Sequence, residues 1–285
     1  MQERDVYPPG VPCWVDTGQP DPQAATEFYG GLFGWEFENA LPPDAPAEYF
    51  TGRLRGRSVA AVGSQPEGMP PTPAWNTYVC VEDADETARK AKEAGGQVLS
   101  EPFDVMDAGR MAVLADPEGA MISIWQPKET KGAQAVNEPG TWNFSELNTR
   151  DPQAAAAFYG AVFGWELSSM DAEGGEFTMF SLPGYGDFLA ERDPSLRERM
   201  ATDGAPAGFE DVVAALLPIT DETDERPAHW SITFAVDDAD AAAAKAAELG
   251  GEVVVPPFDA PYVRMTVLRD PQGAGFTASK YMPPG

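Results

Sequence analysis

The chain has 285 residues and sets Lys+Arg 19 against Asp+Glu 46, a formal net charge of −27. Charge of that size repels phosphate backbones and anionic headgroups, so neither nucleic acid nor a membrane surface is expected as a partner. Solubility is the plain explanation of the acidity; attraction of cationic small molecules is the other. No charged leader with an apolar run opens at Met1 and no stretch of about eighteen apolar residues occurs, so a cytoplasmic chain without signal peptide or membrane span is expected. Cys13 and Cys80 lie in apolar strand-like runs, where they read as small buried hydrophobes of a reducing compartment rather than as a bridge or a nucleophile.

Residues 1–11 are polar and rich in Pro and Gly, which predicts a loose arm. Pro12 to Thr17 is the first strand. DPQAATEFYGGLFGWEFE, from Asp21, then specifies a helix: Asp21 can cap free N–H groups and Pro22 suits the first turn. Ala25, Phe28, Tyr29, Leu32 and Phe33 form one apolar stripe, and Gly34 ends the helix. Trp35–Phe37, Glu48–Thr51 and Arg57–Gly63 read as strands, and 66–73 as a linker. A second module starts with the alternating strand Trp75–Val81, passes through Asp83 into an alanine-rich helix ending at Gly95-Gly96, and adds strands at 97–99, 110–115 and 120–126. The order is βαβββ twice. The polar, aperiodic stretch 128–140 reads as the linker between two domains, 11–127 and 141–285.

The second domain repeats the first. DPQAAAAFYGAVFGWELS begins at Asp151, 130 residues after its counterpart, and the strand–helix–strand order recurs to the end of the chain. About 26 extra residues lie near 183–210, where DPSLRERM predicts a capped helix; they read equally as a lid over a site and as a neutral surface insertion.

The two DPQAA helices, with VEDADETARKAKEAGG, RMAVLADPEGAMISIWQP, VDDADAAAAKAAELGG and RMTVLRDPQGAGF, resemble the vicinal oxygen chelate superfamily of glyoxalases, bleomycin resistance proteins and extradiol dioxygenases. The resemblance implies an α+β fold of tandem glyoxalase-like domains, each pairing two βαβββ modules into a curved eight-stranded sheet around a cavity. Metal-using members keep His or Glu on the first, fifth and eighth strands. Here those positions fall on Trp14, Asn76 and Ser123, and on Phe144, Ser231 and Thr277, none of them a good ligand for a divalent metal. The lone histidine, His229, lies off the ligand position and reads as a strand-end or rim residue. No cofactor is therefore expected, and the resemblance points to the drug-binding branch and to two-domain actinomycete proteins labelled hydroxylases.

Aromatic residues cluster at the vacated positions, which suits a flat apolar ligand or, alternatively, a cavity plugged as core. The ligand-binding candidates are Trp14, Tyr49, Asn76, Arg110, Ser123 and Trp125 in the first domain. In the second they are Phe144, Glu146, Phe177, Ser231, Tyr262, Arg264 and Thr277, with Trp75 and Trp230 as further aromatics. Trp230 adjoins Ser231, so alternation turns it to the helix-covered core or the rim. Asp16, Glu146 and Tyr262 are the candidates for proton transfer. The expected function is metal-independent binding of an aromatic natural product, of anthracycline type where a cationic amino sugar suits the acidic field. It would serve self-resistance, sequestration or an accessory step beside a separate redox enzyme. A cofactor-independent hydroxylase, cyclase or isomerase is the alternative; a monomer or a homodimer suits either.

Overall fold

The computed structural model describes residues 4–65, 73–172, 175–221 and 225–283. The predicted linker at 66–73 lies, but for Pro73, outside the described residues. The first half runs β1 (Pro12–Gln19), α1 (Pro22–Phe33), β2 (Glu36–Asn39), β3 (Tyr49–Leu54), β4 (Arg57–Ser64), β5 (Trp75–Cys80), α2 (Ala84–Glu93), β6 (Gln97–Val105), β7 (Gly109–Ala115) and β8 (Met121–Pro127). The second runs β9 (Trp142–Thr149), α3 (Pro152–Phe163), β10 (Glu166–Ala172), β11 (Gly175–Ser181), α4 (Tyr185–Arg192), α5 (Leu196–Thr202), β12 (Val212–Pro218), β13 (His229–Ala235), α6 (Ala239–Glu248), β14 (Glu252–Ala260), β15 (Val263–Arg269) and β16 (Gly275–Tyr281). Each half is one eight-stranded mixed sheet, in the orders β2-β3-β4-β1-β5-β8-β7-β6 and β10-β11-β12-β9-β13-β16-β15-β14. The first strand of each half lies at the sheet's centre, so its inward side chains sit at the base of the curve.

The caps act as the sequence predicts. Asp21 accepts a hydrogen bond from the Ala24 amide at 3.0 Å and Asp151 from that of Ala154 at 2.9 Å. Gly34 and Gly164 then take the left-handed conformation, with φ of 74° and 77°, that a side chain would strain.

The apolar stripes of α1 and α3 do more than cover their own sheets. Phe28, Tyr29 and Phe33 of α1 share a core with Ile232, Phe234, Leu268 and Phe276 of the second half, Phe33 and Phe234 standing 4.9 Å apart between ring centroids. Phe158, Tyr159 and Phe163 of α3 in turn meet Val79, Leu114, Ile122 and Ile124 of the first. The molecule thus has two cores, each drawn from both halves. A polar clasp repeats at each. The Tyr29 hydroxyl donates to Asp270 at 2.9 Å and accepts from the Trp75 indole at 3.1 Å; the Tyr159 hydroxyl donates to Asp116 at 3.1 Å and accepts from the Trp230 indole at 2.9 Å. Asp116 and Asp270 each open a turn whose amides their other oxygen accepts, so the clasps are anchored in rigid backbone.

Two expected loose segments are packed. The arm buries Tyr7 and Val11, pairs through Gly10 and Val11 with Cys80 at the end of β5, and ties the Tyr7 hydroxyl to the Ala133 carbonyl at 2.6 Å. The stretch 128–140 buries Ala133 and Ala135 and bonds by its backbone to Cys13 and Ser58. Both escaped notice because single apolar residues spaced among polar ones leave no period. In the insertion α5 falls where DPSLRERM lies, but its N-cap, Ser195, makes no side-chain cap hydrogen bond, the Ser195 hydroxyl donating instead to Asp193; α4 has a glycine at its N-cap and likewise no side-chain cap. Among the described residues no helix is long and apolar enough to cross a membrane.

Because Phe158 lies between both sheets, Phe158→Ala should cost about 3–5 kcal/mol and lower one cooperative melting transition of the whole chain. Calorimetry that resolves two transitions, with only one displaced, would contradict the shared cores.

Candidate functional site

Alternation sorts the strands into two faces. On β1, Cys13, Val15 and Thr17 are buried toward the helices, which leaves Trp14 and Asp16 on the concave side. The register sets Trp14 opposite Tyr78, Asp16 opposite Asn76, and Tyr78 beside Ser123. Asp16 is 6% exposed and its carboxylate is saturated. One oxygen accepts the hydroxyls of Tyr49 and Tyr78, at 3.0 and 2.8 Å, and the other the Asn76 amide at 2.9 Å; the Trp14 indole donates to Tyr49 at 3.0 Å. Burial raises the Asp16 pKa against the pull of these donors, and burial beside Asp16 pushes both phenols far up. The first concave face thus ties its carboxylate into a network of its own side chains.

The second face has the same frame and different contents. Glu146 pairs in register with Ser231, Phe144 with Thr233, and Thr233 with Thr277. The Ser231 hydroxyl donates to Glu146 at 3.2 Å, that of Thr233 to its other oxygen at 2.5 Å, and the Asn148 amide to Ser231 at 2.9 Å. Thr233 stands where the first face has Tyr78, so the ring that closes the first concavity is missing from the second. Met179 neighbours Ala215, which neighbours Glu146, and Phe177 lies two residues along the same strand face. Glu146 keeps part of its surface exposed at the base of this cleft. Burial there pushes its carboxyl up to about 8, the Thr233 and Ser231 hydroxyls pulling the other way. The insertion closes one end: Phe209, in the short 3-10 turn Phe209–Asp211, stands 6.1 Å from Phe144 between ring centroids.

The remaining candidates fall elsewhere. Arg110 and Arg264 occupy the helix-covered side, in line with Ala112 and Leu114 and with Thr266 and Leu268, and form ion pairs with Asp85 and Asp104 and with Asp240 and Asp259. They are therefore parted from the cavity residues by the sheet. Trp125 shares the concave side with Ser123 but is held at the strand's end, its indole donating to the Thr130 carbonyl at 2.8 Å. Tyr262, with φ of 62°, tips the β14–β15 hairpin, and no hydrogen bond among the described residues joins it to Glu146. Trp75 and Trp230 lie in the shared cores, as alternation requires of Trp230. His229 starts β13 and turns its Nδ1 to the Pro227 carbonyl at 2.8 Å. Tyr78, Asn148, Met179 and Thr233 were missed, although Tyr78 and Thr233 follow Asn76 and Ser231 by two residues and hence share their face.

Indole, carboxamide, hydroxyl and phenyl groups at the six vacated positions do not fit a divalent cation, and among the described residues no three His, Cys, Asp or Glu gather as one could require. What the second face offers is a flat apolar wall beside a carboxyl that can donate a proton when neutral and accept one when ionised.

This architecture, two sheets of paired βαβββ modules with an inward-facing site on each, defines a glyoxalase-like protein. The model of the Glyoxalase/Bleomycin resistance protein/Dioxygenase superfamily matches residues 15–124 and that of the Glyoxalase-like domain residues 145–279, and the chain belongs to this superfamily. It is 40% identical over 288 residues to the Mycobacterium tuberculosis protein "Putative glyoxylase CFP32", covering 99% of both chains. It is 35% identical over 286 residues to "Anthracycline biosynthesis protein DnrV" of Streptomyces peucetius, covering 95% of this chain and 93% of that one. Among solved structures, the Mn(II)-bound glyoxalase of Novosphingobium aromaticivorans superposes with a TM-score of 0.59 at 16% identity, over 95% of this chain and 82% of that one. A 2,2',3-trihydroxybiphenyl 1,2-dioxygenase of Sphingomonas wittichii gives 0.58 at 12%, over 96% and 91%. At such identities the likeness is one of fold.

The folded chain holds the Glu146 proton more tightly than the unfolded chain, whose carboxyl titrates near 4.5. Its contribution to stability is therefore full below about pH 4.5, falls as pH rises through 8, and stays lost above. Glu146→Gln cannot ionise, so its melting temperature relative to wild type should climb between those limits and level off beyond them. A difference independent of pH would show an ordinary surface carboxylate.

Proposed function

We propose that the concave face of the second sheet holds a planar aromatic natural product without the help of a metal, in support of antibiotic biosynthesis. The observation that carries this reading is the exchange of Tyr78 for Thr233, which sets a small hydroxyl beside Glu146 where the first sheet has a phenol ring. Phe144 and Phe177, on the same concave side, supply stacking surface. Glu146, protonated near neutrality, donates to a ligand carbonyl or phenolic oxygen, and the insertion that brings Phe209 against Phe144 acts as the lid. Similarity to proteins named for anthracycline biosynthesis in Streptomyces peucetius and Streptomyces sp. strain C5 supports the ligand class. The net charge of −27 suits an amino-sugar-bearing member of it. Bound in this way in the cytoplasm, the compound is sequestered from its targets or presented to a separate redox enzyme.

A second reading, a cofactor-independent tailoring enzyme, is favoured by the raised Glu146 pKa, which places a general acid–base near working pH. Turnover of an anthracycline or its aglycone by the purified protein, abolished in Glu146→Gln, would select it; stoichiometric binding without conversion selects the first.

Absorbance titration with an anthracycline should show Phe144→Ala binding more weakly by about 1–3 kcal/mol, the scale of one buried aromatic contact, at an unchanged melting temperature. Trp230→Ala should do the reverse, losing stability and keeping affinity. Affinity lost only in Trp230→Ala would move the site to the other side of the sheet.

Elemental analysis of the purified protein should find no stoichiometric Zn, Fe, Ni or Mn, and a chelator should leave the melting temperature unmoved. About one transition metal per half would defeat the metal-free reading.

A further inference from the structure

A pocket of about 280 Å³ lies beside the Glu146 cluster, between the N-terminal arm, the start of β9 and the insertion, and shares Phe144, Phe209 and Val213 with the second concave face. Its size sits just below the roughly 300–1,000 Å³ usual for small-molecule sites, which suits one or two rings. Most of the lining is apolar or aromatic, including Phe209 and Tyr185.

Two of its lining residues, Arg4 and Trp142, carry donors with nothing to donate to. The Nε of Arg4 and the Nε1 of Trp142 are both buried and, among the described residues, without a hydrogen-bond partner. Trp142 is 5% exposed, so water reaches its indole no better than protein does. The six other described Trp side chains whose surroundings are known offer the comparison: the indoles of Trp14, Trp35, Trp75, Trp125, Trp165 and Trp230 each donate to a named oxygen. Trp142 alone breaks the pattern. Arg4 is the sharper case. Its Nη1 donates to the Tyr185 hydroxyl, its guanidinium lies over the rings of Tyr7 and Tyr185 at 5.6 and 5.8 Å, and no ion pair to it is formed among the described residues. Glu210, the one acid in the lining, is engaged with Arg197. In so acidic a chain, a permanent cation is kept at a pocket wall with no carboxylate paired to it among the described residues. A buried, unmatched charge and an unmet N–H are both costly, and a ligand that brings the missing anion removes both costs at once.

From these two orphan donors on an aromatic-lined wall, we infer that the pocket between the arm and the insertion binds a small aromatic carboxylate, its anionic oxygens accepting from Arg4 Nε and Trp142 Nε1. Arginine is suited to the planar carboxylate, and Phe144, Phe209 and Tyr185 to the ring. This pocket adjoins the site proposed at Glu146, with Phe144 and Phe209 common to both, and its ligand carries the opposite charge to an amino sugar.

The test is calorimetric titration of the full-length protein with benzoate and 1-naphthoate, with 1-naphthamide as the neutral control. The carboxylates should bind and raise the melting temperature, and the amide should bind at least tenfold more weakly. Arg4→Met should lose tenfold or more in carboxylate affinity while remaining folded and keeping its affinity for an anthracycline. Trp142→Phe, which keeps an aromatic ring but removes the indole N–H, should lose several-fold. Arg4→Lys, which keeps the charge without the Nε donor, should recover part of what Arg4→Met loses. Failure of both carboxylates to bind at millimolar concentration, or equal affinity in wild type and Arg4→Met, would overturn the inference. Either result leaves the anthracycline titration to stand or fall on its own.

Discussion

Everything in this molecule depends on the burial of two helices, α1 and α3, between two sheets rather than on one. Each helix presents Phe, Tyr and Phe at the spacing of one face, and a single sheet cannot cover all of that surface. The second half's Phe234 and Phe276 complete the cover of α1, and the first half's Leu114 and Ile122 that of α3. Tyr29 and Tyr159 then carry their hydroxyls into the same contact, where Asp270 and Asp116 satisfy them. With the convex faces committed to one another, the concave faces are left free to meet a ligand.

The concave faces show how one frame supports two outcomes. A carboxylate stands at the same place in each, Asp16 and Glu146, opposite a small polar residue, Asn76 or Ser231. What differs is the next residue inward on the neighbouring strand. Tyr78 is long enough to reach Asp16 and fill the curve, whereas Thr233 reaches Glu146 only because the glutamate is one methylene longer. The first carboxylate is locked by three donors; the second has two hydroxyls and a share of exposed surface, and burial raises the proton affinity of both.

Much of this was legible in the sequence, because it rests on local signals. Asp21-Pro22 and Asp151-Pro152, the Phe-Tyr stripes and the closing glycines announce helices without tertiary help, and their recurrence announces the duplication. Strand parity, with the inward positions that the family resemblance implies, assigns Trp230 to the core or rim and Phe144 to the cavity. The side of Arg110 and Arg264 was equally available from parity, since each is two residues from a core position, but charge drew attention to them as ligand groups. The packing of Tyr7 against Ala133 was not available, because it depends on two aperiodic segments finding each other across more than a hundred residues. The same holds for Arg4 and Trp142, whose lack of partners is a property of the assembled surroundings and leaves no mark on the chain.

The clasps at Asp116 and Asp270 have a consequence for how such a chain can change over time. Each links a turn of one half to a helix of the other, so the paired scaffold is a single mechanical unit whose integrity is checked twice, away from either cavity. The first half then serves as ballast. Substitutions at Phe144, Phe177 or Thr233 alter the shape of one recess without drawing on the contacts that hold the molecule together, which leaves that recess free to drift toward new compounds.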